Sequence, residues 1–323
     1  MMRPLHFVII GAVAGITLLA IFSSSVSDSL TIKKDDTASI DTLQNMGNKN
    51  TMAKYFAIKL PKEVTFAGEP VPLNDIEVRE RLDRELLVNT YWHSSTLQNL
   101  KLAHRWFPEI EKIFSEHNIP DDFKYIALAE SGLRNVVSPA KAEGVWQFLS
   151  ETGRQYGLTI NSEVDERYDV EKATLAAVKY FQEAKAKFNN WTLSAASYNA
   201  GMGAIENSLK NQKVDNYYDL YLNAETSRYI FRIIAFKIIY ENTEKFGFML
   251  DDEDLYQPLA YTTVEVKSSI PNLADFAIEH GTTYKMLKFY NPWIQSTTLN
   301  IKPGTKTIIK LPVLTAPKKN ETK

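Results

Sequence analysis

The chain has 323 residues, 44% of them hydrophobic and 24% charged, an ordinary globular composition with length enough for two domains. The absence of cysteine excludes disulfides, Cys-ligated zinc or iron–sulfur sites, a thiol nucleophile and a lipid anchor on an N-terminal Cys. His6, His93, His104, His117 and His280 show no two-ligand helical spacing, and 37 basic against 39 acidic side chains leave no excess to attract nucleic acid, so neither a metal enzyme nor a nucleic-acid partner is expected.

At the N-terminus, Arg3 precedes 16 positions, residues 7–22, in which Thr17 is the one clearly polar side chain. Such a run lies between a signal-peptide core and the roughly 20 residues of a spanning helix, so residues 1–22 read as a signal peptide or an N-terminal membrane anchor. Arg3 then stays cytoplasmic and everything after Ser23 lies across the membrane. Residues 23–74 follow as a flexible linker, rich in Ser, Asp, Thr, Asn and Lys as far as Ala53.

From 75 to 248 the pattern is helical almost throughout and predicts one mainly α domain. Leu82, Leu86 and Leu87, then Phe107, Ile110, Ile113 and Phe114, mark two amphipathic helices. Ile119-Pro120-Asp121 is a helix start with Asp121 as its cap, and Ser131-Gly132 is a stop. Ser138-Pro139 is read as the start for a stretch over 144–156, and Asp169 for a helix carrying Ala173, Ala177, Tyr180, Ala184 and Phe188. A short helix over 191–200 ends at Gly201, and a long one runs from 225 to about 240. After a linker at 249–260, the order strand (261–266), helix (273–280), helix (284–290), strand (307–311) predicts a small βααβ module over 261–313. A basic tail, 314–323, completes the chain, and residues 261–323 carry +5 against −7 for the rest, a balance suited to an anionic partner.

On the helix that starts at Asp121, Phe123, Ile126, Ala127 and Glu130 fall at i, i+3, i+4 and i+7, which puts a carboxylate on the apolar face. Burial and the negative end of the helix dipole both favour its protonated form. The spacing leaves two readings open: a proton-donating acid, or a buried Glu paired with Arg134, Arg228 or Arg232.

The residues around Glu130 carry a resemblance. Ala129-Glu130-Ser131-Gly132-Leu133, then Ser138 through Phe148, then Ala195-Ala196-Ser197-Tyr198-Asn199-Ala200-Gly201, then Glu225-Thr226-Ser227-Arg228-Tyr229 stand in the order of the motifs of the lytic transglycosylases of the soluble-lytic type. The arrangement, covering residues 75–248, is most similar to the membrane-bound murein transglycosylase D branch of that family. The resemblance implies a lysozyme-like helical fold that cleaves the MurNAc–GlcNAc bond of peptidoglycan strands without water and leaves 1,6-anhydromuramic acid ends. It implies no cofactor, a periplasmic or cell-envelope location, and Glu130 as general acid and then base. By the same resemblance Tyr198 touches the substrate's N-acetyl group or Glu130, Ser138 and Gln147 hold sugars or the acid, and Asn199 and Tyr229 shape the cleft. Trp146 either stacks on a sugar or belongs to the core. Glu143 and Glu151 read as a loop and an exposed helix residue, so no second acid is evident of the kind that a hydrolytic muramidase needs. That enzyme and a non-catalytic peptidoglycan-binding scaffold are the rival readings. Lys141, Glu143 and Ser197 stand where many relatives have small residues.

The C-terminal module resembles a diverged LysM domain, through Leu273-Ala274-Asp275-Phe276-Ala277, Thr283-Tyr284, Asn291-Pro292, Pro303-Gly304 and Ile309-Lys310-Leu311-Pro312. Ser269-Ile270-Pro271-Asn272 replaces the usual Gly-Asp-Thr. That likeness implies glycan binding to the cell wall.

Overall fold

The computed structural model describes residues 56–313; the expected signal or anchor segment 1–22, the linker as far as 55 and the basic tail lie outside the described residues. Within them the chain is mainly α-helical, with a βααβ module at the C-terminal end, as the sequence pattern predicts. No helix among the described residues is long and apolar enough to cross a membrane.

Helix α1 (Ile76–Tyr91) starts where Asp75 accepts hydrogen bonds from the N–H groups of Glu77 and Val78, at 2.8 and 3.1 Å. Helix α2 (His93–Glu116) follows, then the short α3 (Lys124–Ser131), α4 (Ser150–Gln155), α5 (Val170–Phe188), α6 (Trp191–Ala200) and α7 (Met202–Gln212). Helix α8 (Ala224–Tyr240) buries Ile230, Ile233, Ile234 and Ile239 and packs against α1, α3 and α6. The face of α5 bearing Ala173, Ala177 and Ala184 lets α6 come close. Asp169 caps α5 through the Lys172 N–H at 3.1 Å, and Asn190 caps α6 through that of Leu193 at 2.7 Å.

Three expectations change. Asp121 does not cap α3: its carboxylate accepts from Lys124 Nζ at 2.5 Å, and the helix opens from a single 3-10 turn, Asp121–Phe123. The stretch 144–156 is helical only in α4, because Lys141, Gly144 and Gln147 adopt positive φ and the segment instead folds back on itself, with Glu143 bridging Val137 and Phe148. The expected linker also ends early. Strands β1 (Thr65–Phe66) and β2 (Glu69–Pro70) form a hairpin whose Phe66, 0% exposed, stacks on Phe123 with ring centres 5.6 Å apart. Strands this short leave no alternating pattern to read in a polar stretch.

In the module, β3 (Tyr261–Val266) pairs antiparallel with β4 (Thr307–Pro312), and α9 (Leu273–Glu279) and α10 (Tyr284–Tyr290) lie between them in sequence. Leu273, Ala277, Leu287, Ile294 and Ile309 form its own small core.

The hairpin is tied in by chemistry as well as packing. Glu69 accepts from the N–H groups of Trp191 and Thr192, at 2.6 and 2.8 Å, and from Thr192 Oγ1 at 2.7 Å, placing a carboxylate on the positive end of α6. Glu69→Ala is expected to lower the unfolding free energy by about 1–2 kcal/mol in urea titration. An unchanged midpoint would mean that the hairpin does not hold α6.

Candidate active site

Helix α3 delivers Glu130 in its last turn and stops at Gly132, whose φ of 61° is left-handed and whose added Cβ would lie 2.6 Å from Asn99 Oδ1. The chain then folds as a loop that carries Ser138 and Gln147. Helix α6 contributes Tyr198 and Asn199, and α8 contributes Tyr229. These six residues line one groove of ≈ 420 Å³.

Glu130 is densely surrounded at the floor of this groove yet still reached by solvent. Burial pushes its carboxyl up to about 7, against the Tyr229 hydroxyl and the Arg232 charge, which favour the anion; the Glu225 charge adds to the rise. Tyr229 is buried and donates its hydroxyl hydrogen to Glu130 Oε1 at 2.5 Å. Burial, with Glu130 beside them, raises both the Tyr229 and Tyr198 hydroxyls well above the ordinary phenol range, so each remains a donor at physiological pH.

The arginine-paired reading is not what the structure contains. Arg228 Nε donates to Glu85 at 2.7 Å, Arg134 Nε to the Ser131 carbonyl at 3.1 Å, and Arg232 pairs with Glu225 at 3.2 Å. Among the described residues none of the three forms an ion pair with Glu130. Glu225 is the second carboxylate of the groove lining, and it is exposed and neutralised by Arg232. Glu143 points away to Tyr168 Oη at 2.7 Å and to Arg167 at 3.2 Å.

The remaining residues act first as scaffold. The Gln147 amide donates to the carbonyls of Val136 and Gly144, at 2.9 and 2.8 Å, which fixes the side chain of a residue whose backbone φ is 52°. Ser138 Oγ accepts from the Ala142 N–H at 2.9 Å. Asn199 Oδ1 accepts from Thr226 Oγ1 at 2.9 Å, tying α6 to α8. Tyr198 Oη donates to the Trp146 carbonyl at 2.7 Å, so its hydroxyl holds the loop and not Glu130. Trp146 itself is core. It is 0% exposed, its indole N–H donates to Thr174 Oγ1 at 2.9 Å, and its ring lies against Phe114 and Phe181, so no sugar reaches it.

Arg232 and Glu225 also line the groove. Their signal was available in the sequence: with Tyr229 they fall at i, i+4 and i+7 on one face of α8.

Tyr229→Phe removes a donor that favours the Glu130 anion. The Glu130 carboxyl, followed by carbon-13 NMR titration, is expected to move up from about 7 by roughly one pH unit. A titration that stays in place or moves down would contradict the hydrogen bond's role.

Comparison with known proteins finds similarity over two stretches of the chain. Residues 110–220 match the Transglycosylase SLT domain and residues 262–315 match the soluble lytic transglycosylase C-terminal LysM-like domain. The first match includes Glu130, Ser138, Gln147, Tyr198 and Asn199 and ends before Tyr229. The chain is 29% identical over 235 residues to "Membrane-bound lytic murein transglycosylase D" of Escherichia coli strain K12, and to the protein of the same name in Escherichia coli O6:H1. The alignment covers 71% of this chain and 50% of each relative, so the chain spans about half the length of the curated relatives it matches. Two stretches of the chain are thus similar to known families, residues 110–220 to the Transglycosylase SLT domain and residues 262–315 to the LysM-like C-terminal domain of soluble lytic transglycosylases.

Proposed function

We propose that the protein is a peptidoglycan lytic transglycosylase that breaks the β-1,4 bond between MurNAc and GlcNAc and leaves a 1,6-anhydromuramic acid end. The observation that carries this reading is Glu130: one carboxyl at the floor of an open groove, raised to about 7, with a tyrosine hydroxyl on one oxygen and no second free carboxylate in the lining.

A proton affinity near neutrality suits a group that must both give and take a proton. Protonated Glu130 gives its proton to the glycosidic oxygen as the bond from MurNAc C1 to that oxygen breaks, and GlcNAc leaves with a free 4-hydroxyl. Positive charge at C1 is met by the substrate's own N-acetyl oxygen. Asn199, whose Oδ1 accepts from Thr226, keeps its amide N–H groups to donate to that acetyl group. The carboxylate left on Glu130 then accepts the proton of the muramic acid 6-hydroxyl as O6 bonds to C1. The enzyme ends as it began and no water is consumed. Tyr229, which donates to the Glu130 anion, holds the carboxylate between the two steps. Ser138 and Gln147 also line the groove, where they can hydrogen-bond to neighbouring sugars. A hydrolytic route would need a second carboxylate roughly 5–10 Å from the first to activate water, and Glu225 is committed to Arg232.

The relatives' printed name, membrane-bound and acting on murein, supports a cell-envelope location with glycan strands as substrate. Retention of residues 1–22 as an anchor and glycan binding by the LysM-like module belong to the same proposal.

The test is mass spectrometry of fragments released from purified sacculi by the chain and by Glu130→Gln. Anhydro-ended muropeptides are expected from the parent, with release at least about 1,000-fold slower from the variant, because the amide keeps the volume and has no proton to give. Reducing-ended products would identify a muramidase, and no release by the parent would leave a binding scaffold.

A further inference from the structure

Glu143 was notable in the sequence as a charge where many relatives have a small residue, and the structure turns it away from the groove toward Arg167. Arg167 is 3% exposed and sits behind the loop that forms one wall of the site. Its guanidinium donates to Phe148 O at 3.1 Å and Lys141 O at 3.3 Å, pairs with Glu143 at 3.2 Å, and is gripped by Asp165 through Nε at 2.9 Å and Nη2 at 2.6 Å. Its own carbonyl lies so near Gly144 that a Cβ there would stand 1.9 Å from it. The segment between Lys141 and Phe148, which includes Gln147, is therefore fastened at both ends and in the middle to one buried cation.

The other side of that grip reaches the C-terminal module. The Asp165 N–H donates to Trp293 O at 2.8 Å, and the Gln295 N–H donates to Glu163 O at 2.7 Å, so 163–165 runs beside 293–295 like an added strand. Glu163 accepts from Thr298 Oγ1 at 3.2 Å and Asn300 Nδ2 at 2.5 Å. On the far side Lys310 pairs with Glu171 at 3.2 Å and Glu109 at 3.7 Å.

We infer that Arg167 is a positioning residue for the groove wall formed by residues 141–148, and that the LysM-like module, docked on residues 163–165, sets the place of Arg167. The module is thus a buttress of the active site. Calling the groove an active site rests on the transglycosylase reading, whereas the mechanical coupling does not.

Two full-chain variants and three readouts, hydrogen exchange, turnover and melting temperature, separate these. Arg167→Lys keeps the charge but cannot span Asp165, Lys141 O and Phe148 O together. Glu163→Ala with Lys310→Ala loosens the module without touching a groove residue. Hydrogen exchange is read at the amides of Ser138, Glu143, Gly144 and Gln147, all hydrogen-bonded within the loop. Turnover of sacculi is read with binding and rate separated. Arg167→Lys should speed exchange of these amides by about tenfold or more and lower kcat by about 10- to 100-fold with a smaller change in KM. The double variant should speed the same amides and lower kcat by about 2- to 5-fold. Faster exchange confined to residues 293–300, with loop amides and kcat as in the parent, would overturn the coupling. A lower melting temperature with kcat per folded molecule unchanged would reduce Arg167 to a structural residue. A parent with no lytic activity would fail the transglycosylase reading while the exchange arm still decided the coupling.

Discussion

A carboxyl group kept mostly dry on an apolar helix face costs free energy whenever it ionises, and this domain is organised around keeping Glu130 in that condition. Helix α3 is only eight residues long, and nearly all of it is buried. Helix α8 covers it with Tyr229, and the cations on α8 are drawn elsewhere: Glu85, 1% exposed, takes Arg228, while Glu225 takes Arg232. Had either arginine met Glu130 directly, the carboxyl would fall toward the ordinary range and lose its proton well below neutrality. The ion pairs on α1 and α8 thus shape the acidity of a residue they do not touch.

The same division of labour runs through the groove. Tyr198, Asn199, Ser138 and Gln147 each commit part of their hydrogen-bonding capacity to neighbouring backbone or helix, and only what remains faces the opening. Side chains held in this way lose little further freedom when a ligand arrives. Loop geometry follows from positive φ at Lys141, Gly144 and Gln147, a conformation kept by the buried Arg167 at its back.

Much of this could be read from the chain alone. Helix α6 was legible to the residue because a short helical run from Trp191 to Ala200 stops at Gly201, and the βααβ order of the module followed from the alternation of its strands around two short helices. Glu130 stood out because i, i+3, i+4, i+7 periodicity makes a charge on an apolar face visible. What stayed hidden depends on contacts distant in sequence. The hairpin at Thr65–Pro70 is fixed by Phe123 and α6, and the loop over 144–149 is fixed by Arg167. Trp146 could not be sorted between core and cleft, because the sequence does not say that Phe114, Thr174 and Phe181 surround it. The pairing of Arg232 with Glu225 and not Glu130 needs side-chain directions that spacing alone leaves free.

The central claim is that one raised carboxyl serves as the acid and then the base. The pH dependence of kcat/KM on sacculi tests it most directly, because the free enzyme must hold the Glu130 proton before the bond can break. Activity is predicted to be full on the acid side of the carboxyl's value of about 7 and to fall tenfold per pH unit above it, with no limb near 4 to 5 from a second catalytic carboxylate. A rate that rises through pH 4 to 5 with the ionisation of a second group, or that stays level well above pH 8, would contradict the account.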